Sequence, residues 1–219
     1  GIMDPDKLPS ALNPEEGSFA TANDDLNRFG KESPINLPMG SYRAERIREL
    51  LAANDQVDPE YIKKMHFDLY SKQAELLMPI YLPLLPDNDK GDLLRNWDYR
   101  YTPDSNAATV FESIYSESIK VVFGKYGLGG DLIEYFFEKT GLFNGFYANF
   151  DNVLMDENSP WLKGIDRETQ LREAVTKGLE CEVAPYGSKR RFDFKNIFFG
   201  GKLPDILGFD IKNRNLPGN

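Results

Sequence analysis

Asn13-Pro14-Glu15-Glu16-Gly17-Ser18-Phe19-Ala20-Thr21-Ala22-Asn23 is followed, after a polar loop, by Tyr42-Arg43-Ala44-Glu45-Arg46-Ile47-Arg48-Glu49-Leu50-Leu51. The first stretch reads as a turn and then a short strand over residues 18–23, entered through Gly17 and ending in a polar amide. The second opens an amphipathic helix from about residue 43 to 54, with Ile47, Leu50 and Leu51 on one face and Arg43 and Arg46 three apart. Between them, residues 24–41 hold Gly30, Pro34, Pro38 and Gly40 and spell a long polar loop. Loops of that length in compact domains usually serve a function or pack against other chain. Ser41 is placed to cap the helix.

Helical signals dominate from there. Asp58-Pro59 is a carboxylate cap with proline at the first helical position. Ile62, Met65, Leu69, Leu76, Leu77, Ile80, Leu84 and Leu85 continue one helical pattern, which Pro79 and Pro83 should kink or end. A short helix is expected over 88–97. Ser105 caps a longer one ending near Gly124, before the break Gly127-Leu128-Gly129-Gly130. Asp131 caps a helix over 132–139, stopped at Gly141. Residues 142–155 are aromatic and helical, and Asp166 caps a last helix to about Glu182. After Pro185, Arg191-Phe192-Asp193-Phe194-Lys195 alternates like a strand, and residues 200–219 are glycine- and proline-rich loop with short extended pieces. The expected fold is mainly α, with short β-strands at the two ends. Residues 1–41 form an extended segment carrying Asn23, 42–184 a helical domain, and 185–219 a short strand and loops.

Composition narrows the function. The 219 residues are 41% hydrophobic and 13% aromatic, enough for one sizeable core or two small ones. A net charge of -9 repels phosphate backbones and argues against nucleic acid as a partner. The single cysteine, Cys181, excludes an internal disulfide framework, and no apolar run approaches the roughly 18 residues of a membrane span. No signal peptide opens the chain, and Gly1-Ile2-Met3 reads as a vector remnant rather than a native start. His66 is the lone histidine, so no histidine pair can hold a metal. Gly200-Gly201-Lys202 lacks the spacing and the following Ser or Thr of a phosphate loop. The Asp24/Asp25 and Asp87/Asp89 pairs read as solvated loop charges. The cluster Tyr135, Phe136, Phe137, Phe143, Phe146, Tyr147 and Phe150 reads as core, with an acyl pocket as its alternative.

The pattern ending in Ala20-Thr21-Ala22-Asn23, with Arg43-Ala44-Glu45-Arg46-Ile47, resembles the penicillin acylase family of N-terminal nucleophile amide hydrolases. Met65-His66-Phe67-Asp68-Leu69-Tyr70-Ser71 resembles a family helix, with His66 where the family usually has glutamine. Asp68 and Ser71 are then expected to make a buried polar contact on one helix face, and His66 to be structural. Trp97-Asp98, Phe198 to Pro204, Leu207 to Asp210 and the terminal Leu216-Pro217-Gly218-Asn219 are further matches in order. The resemblance implies that Asn23 is the oxyanion-hole asparagine and Arg43 the residue that orders the site. Arg46 would serve packing and surface charge. The helical chain would be part of a larger α+β enzyme, an internal segment of its β subunit. It would act on a small-molecule amide, partner the remainder of the acylase chain, and be periplasmic or secreted. The family's calcium ligands find no match near Asp24, Asp25 or Glu32, so no cofactor is expected. The family nucleophile is a Ser, Cys or Thr at a cleaved N-terminus, and Gly1 is not one. The segment is therefore expected to be inactive alone, with Asn23 and Arg43 solvent-facing or in other contacts and residues 13–40 poorly or differently anchored. Two alternatives stand beside this reading. One is a relative that cleaves acyl-homoserine lactones or cephalosporin side chains. The other is a helical binding module with no catalytic role.

Overall fold

The computed structural model describes residues 4–32, 34–140, 143–162 and 166–218. Its α-helices are α1 (Tyr42–Ala52), α2 (Pro59–His66), α3 (Lys72–Tyr81), α4 (Asp89–Arg95), α5 (Asn106–Ile119), α6 (Gly130–Lys139), α7 (Phe143–Met155), α8 (Arg167–Gly178) and α9 (Tyr186–Lys189). Local chemistry places most of their starts. Asp58 accepts from the Tyr61 amide at 2.7 Å, Ser105 from Ala108 at 3.2 Å, and Asp166 from Glu168 and Thr169, both at 3.1 Å. Each cap satisfies amides that the first helical turn leaves open.

The core forms around α5. Ala107, Ala108, Val110, Phe111, Ile114, Tyr115 and Ile119 are buried there, against Ala74, Leu77, Met78 and Tyr81 of α3. Burying one such large side chain contributes about 1.5–3 kcal/mol. On the other side α8 crosses α5 at Gly178, where a Cβ would lie 2.4 Å from Ile114 Cα. Trp97 closes one end, with ring centroids 5.3 Å from Phe111 and 5.5 Å from Tyr101. A buried hydroxyl relay, Tyr81 to Ser118 at 3.0 Å and Ser118 to the Ile114 carbonyl at 2.8 Å, satisfies the polar atoms that α3 and α5 carry inward.

The fold is mainly helical, and it departs from the sequence expectation at several points. Among the described residues the strands are β1 (Arg191–Phe194) and β2 (Ile211–Asn215), which lie near the C-terminal end and pair antiparallel, with Arg191 opposite Asn215. Residues 18–23 form no strand. The Asp24 amide bonds the Thr21 carbonyl at 2.6 Å, and Ala22 and Asn23 hold φ of 41° and 65°. Two successive positive φ values are those of a primed turn, which reverses the chain. The helical pattern after Pro59 is also interrupted. Between α2 and α3 the chain is extended, with the Tyr101 amide on the Leu69 carbonyl at 3.0 Å and the Ser71 amide on the Tyr99 carbonyl at 2.9 Å. Pro79 lies inside α3, which ends two residues later in a 3-10 turn containing Pro83.

Three further helix ends differ. The α5 rod runs on as a π-helix over Lys120–Leu128, past Gly124. Asp131 sits in the first turn of α6, whose cap is Gly129 at φ 102°. The expected stop at Gly141 lies outside the described residues. Ser41 donates its hydroxyl to Glu45 instead of accepting an amide, so it gives α1 no side-chain cap.

Candidate functional site

A cleft of about 650 Å³ opens where the N-terminal arm meets the helical body. Ala22, Asn23 and Gly40 come from the arm, Tyr42, Arg43 and Arg46 from α1, and Gln73, Tyr115 and Tyr147 from α3, α5 and α7.

The arm is firmly tied. Asn27 donates to the Asn36 carbonyl at 3.1 Å, Asn36 donates to the Asp24 carbonyl at 2.7 Å, and the Met39 amide reaches the Asn23 carbonyl at 3.0 Å. Asp24 is buried and takes Arg48 at 2.7 Å, so it is no solvated loop charge. Burial raises its pKa, but the hydrogen bond and charge of Arg48 outweigh that and hold it below the ordinary value. Of the two expectations for this arm, poor anchoring does not hold for residues 22–32 and 34–39: paired asparagines and the ion pairs Arg48–Asp24 and Lys7–Glu32 hold it in place of an apolar core.

The structure brings Asn23 and Arg43 together, both on exposed residues. Arg43 Nη2 donates to Asn23 Oδ1 and, at 3.2 Å, to the Ala22 carbonyl. A guanidinium only donates, so the amide atom facing it is the oxygen. That leaves the Asn23 Nδ2 hydrogens as donors at the cleft rim, and no acceptor among the described residues takes them.

Arg46 turns the other way. It meets Asp68 at 2.6 Å, Glu49 at 3.2 Å and the face of the Tyr70 ring at 4.6 Å. Burial works against the Asp68 charge, but Arg46 and then Arg100, at 3.2 Å, hold its pKa below the ordinary value. Asp68 and Ser71 share no helix face: Asp68 lies beyond α2, and Ser71 caps α3 by accepting from the Ala74 amide at 3.2 Å. His66 stands exposed on the last turn of α2, without the packing expected of it. The aromatic cluster divides. Phe150 packs on Phe123 at 4.6 Å, Tyr135 is exposed, and Tyr147 lines the cleft.

Behind the cleft wall lies a carboxylate that sequence reasoning passed over. Asp151 of α7 is fully buried. It accepts from Tyr115 at 2.7 Å on one oxygen, and from Gln73 at 2.8 Å and Tyr42 at 2.9 Å on the other. Burial pushes its pKa up to about 6, against the pull of the three donors. Burial and the Asp151 charge together push the Tyr42 and Tyr115 phenols far above their ordinary range. Both therefore stay protonated donors. One signal in the sequence marks this residue: Asp151 is the lone charged side chain between Phe143 and Met155.

Among the described residues, no group of three or more His, Cys, Asp or Glu side chains is arranged for a metal ion, and no helix is long and apolar enough to cross a membrane. The cleft offers an oriented amide donor, held by a guanidinium, beside phenols and paired charges. Donors set in this way have the chemistry to hydrogen-bond a carbonyl oxygen. The penicillin amidase family profile matches residues 1–218, and the chain belongs to that family. At family level this points to a penicillin-acylase-like amide hydrolase. Nothing among curated proteins matches it.

Proposed function

We propose that this chain supplies the oxyanion side of a penicillin-acylase-like active site. Asn23 is the side-chain donor and Arg43 the residue that sets its amide. In amide cleavage the nucleophile adds to the carbonyl carbon, and the carbonyl oxygen takes up negative charge in a tetrahedral intermediate. Asn23 Nδ2 donates to that oxygen. Collapse expels the amine and leaves an acyl-enzyme, which water then hydrolyses. The nucleophile in this reading is an N-terminal Ser, Cys or Thr from a segment outside these residues, with its own α-amine as base. The 42–184 body is the scaffold, the flanking segments join it to the rest of the enzyme, and the enzyme works in the periplasm or outside the cell.

The observation that carries the reading is the contact of the Arg43 guanidinium with Asn23 Oδ1, which leaves the amide hydrogens available at the cleft. It is tested by Asn23→Ala in the complete enzyme. Loss of one oxyanion donor lowers kcat by about 10²–10³-fold. The thermal midpoint should fall only modestly: Asn23 is exposed, but its left-handed backbone, at φ 65°, costs alanine about 1–2 kcal/mol. Near-normal turnover would overturn the assignment.

A further inference from the structure

We propose that Asp151 is a positioning residue of this site: it seats the first turn of α1 and thereby sets where Arg43 holds Asn23. The proposal rests on the reading of Asn23 and Arg43 given above.

Apolar burial does little to fix α1, since Ala44 is its one fully buried residue. Polar ties set its place instead. The Arg46–Asp68 pair, the Lys72–Glu49 pair at 2.6 Å and the bond from the Tyr61 hydroxyl to the Leu50 carbonyl at 2.5 Å hold its middle and end. Its first turn is held from α7. Tyr42, the residue before Arg43, donates to Asp151, and Gln73 and Tyr115 bring α3 and α5 to the same carboxylate. Four helices meet at one group that only accepts, so each donor direction is fixed by the other two.

The same face of α7 seats the chain just before α1. A Cβ on Gly40 would stand 2.8 Å from Ala148 Cβ and 3.3 Å from the Tyr147 hydroxyl, and Gly40 holds φ 109°. Only glycine combines that conformation with that approach. Tyr147, Ala148 and Asp151 fall on one helix face at spacings of one, three and four. Residues 40 and 42 both rest on it, and Arg43 follows directly. A shift of this seat moves the guanidinium, and with it the Asn23 amide.

In the complete enzyme, Tyr42→Phe removes one hydroxyl and leaves Asp151 two donors, so the core survives. We expect kcat to fall about tenfold with KM within about twofold, since small displacements of a catalytic donor carry large rate penalties. Asp151→Ala should fall further, and Asp151→Asn, which keeps an acceptor, should recover part of the loss. The decisive measurement is Tyr42→Phe in an Asn23→Ala background. If Asp151 acts through Asn23, the second substitution changes kcat by less than about twofold. A full tenfold drop there would show a merely structural role and sink the proposal. Normal kcat in Tyr42→Phe alone would also sink it. If Asn23→Ala itself leaves turnover intact, the oxyanion reading fails first and takes this inference with it.

Discussion

At Asp151 a carboxyl with an ordinary pKa of 3.8 is pushed up to about 6 by burial. Between those values the folded chain keeps a proton that the unfolded chain has lost. The stability this group contributes is therefore present in acid and disappears as pH rises through about 6. About two pKa units correspond to roughly 3 kcal/mol, an upper bound for a site this well supplied with donors. Asp151→Asn carries no such proton. Its stability relative to the unsubstituted chain should rise between pH 4 and pH 7 by up to about that amount, read from urea midpoints at each pH. A flat difference would mean that Tyr42, Gln73 and Tyr115 compensate the buried charge in full. The residue scale also shows what a linear reading could reach. Asn23 and Arg43 lie 20 positions apart inside a recognisable pattern, whereas Tyr42 and Asp151 lie 109 apart. No local period connects a phenol to a carboxylate across that separation.

Among the elements, the starts of α2, α5 and α8 were legible because a cap is local chemistry: one oxygen and the amides two or three residues on. The break between α2 and α3 was not. Met65 and Leu69 keep helical spacing, and only the pairing of Tyr70 with Arg100, from 30 residues downstream, pulls the chain straight. The primed turn at Ala22 and Asn23 was hidden for a related reason. Alternating residue types suggest a strand, while the arm's asparagine ladder and Arg43 hold a reversal. The contact between α5 and α8 gives the sharpest test at this scale. At Gly178 a Cβ would meet backbone, 2.4 Å from Ile114 Cα and 2.8 Å from its nitrogen, so no rotamer can relieve it. Gly178→Ala should destabilise the chain by about 1–3 kcal/mol, measured by denaturant unfolding, although alanine is the better helix former. Unchanged stability would show that the two helices can move apart freely.

For the molecule as a whole, apolar exposure is uneven. Ile197, Phe198 and Ile206 are 89%, 88% and 92% exposed, and Phe192, Phe194, Leu207, Phe209 and Ile211 are also exposed around the β1–β2 hairpin. A concentration of this kind exceeds the scattered apolar residues of an ordinary monomer surface and promotes association. Replacing Ile197 and Phe198 by serine should lower light scattering of the concentrated chain. Its thermal midpoint should stay nearly constant, because substitutions at exposed positions usually shift stability by no more than about 0.5 kcal/mol. Scattering that does not change would place the association elsewhere. The other end of the molecule is held differently. The middle of α1 is fastened largely by charge, through Arg46, Arg48 and Glu49, and Arg48 and Glu49 are each more than two-fifths exposed. Salt at about 0.1 M screens exposed charges over roughly 10 Å, while hydrophobic contacts such as those around α5 do not depend on that screening. Ionic strength therefore acts as a selective loosening agent, slackening α1 and the arm it carries while the core stays packed.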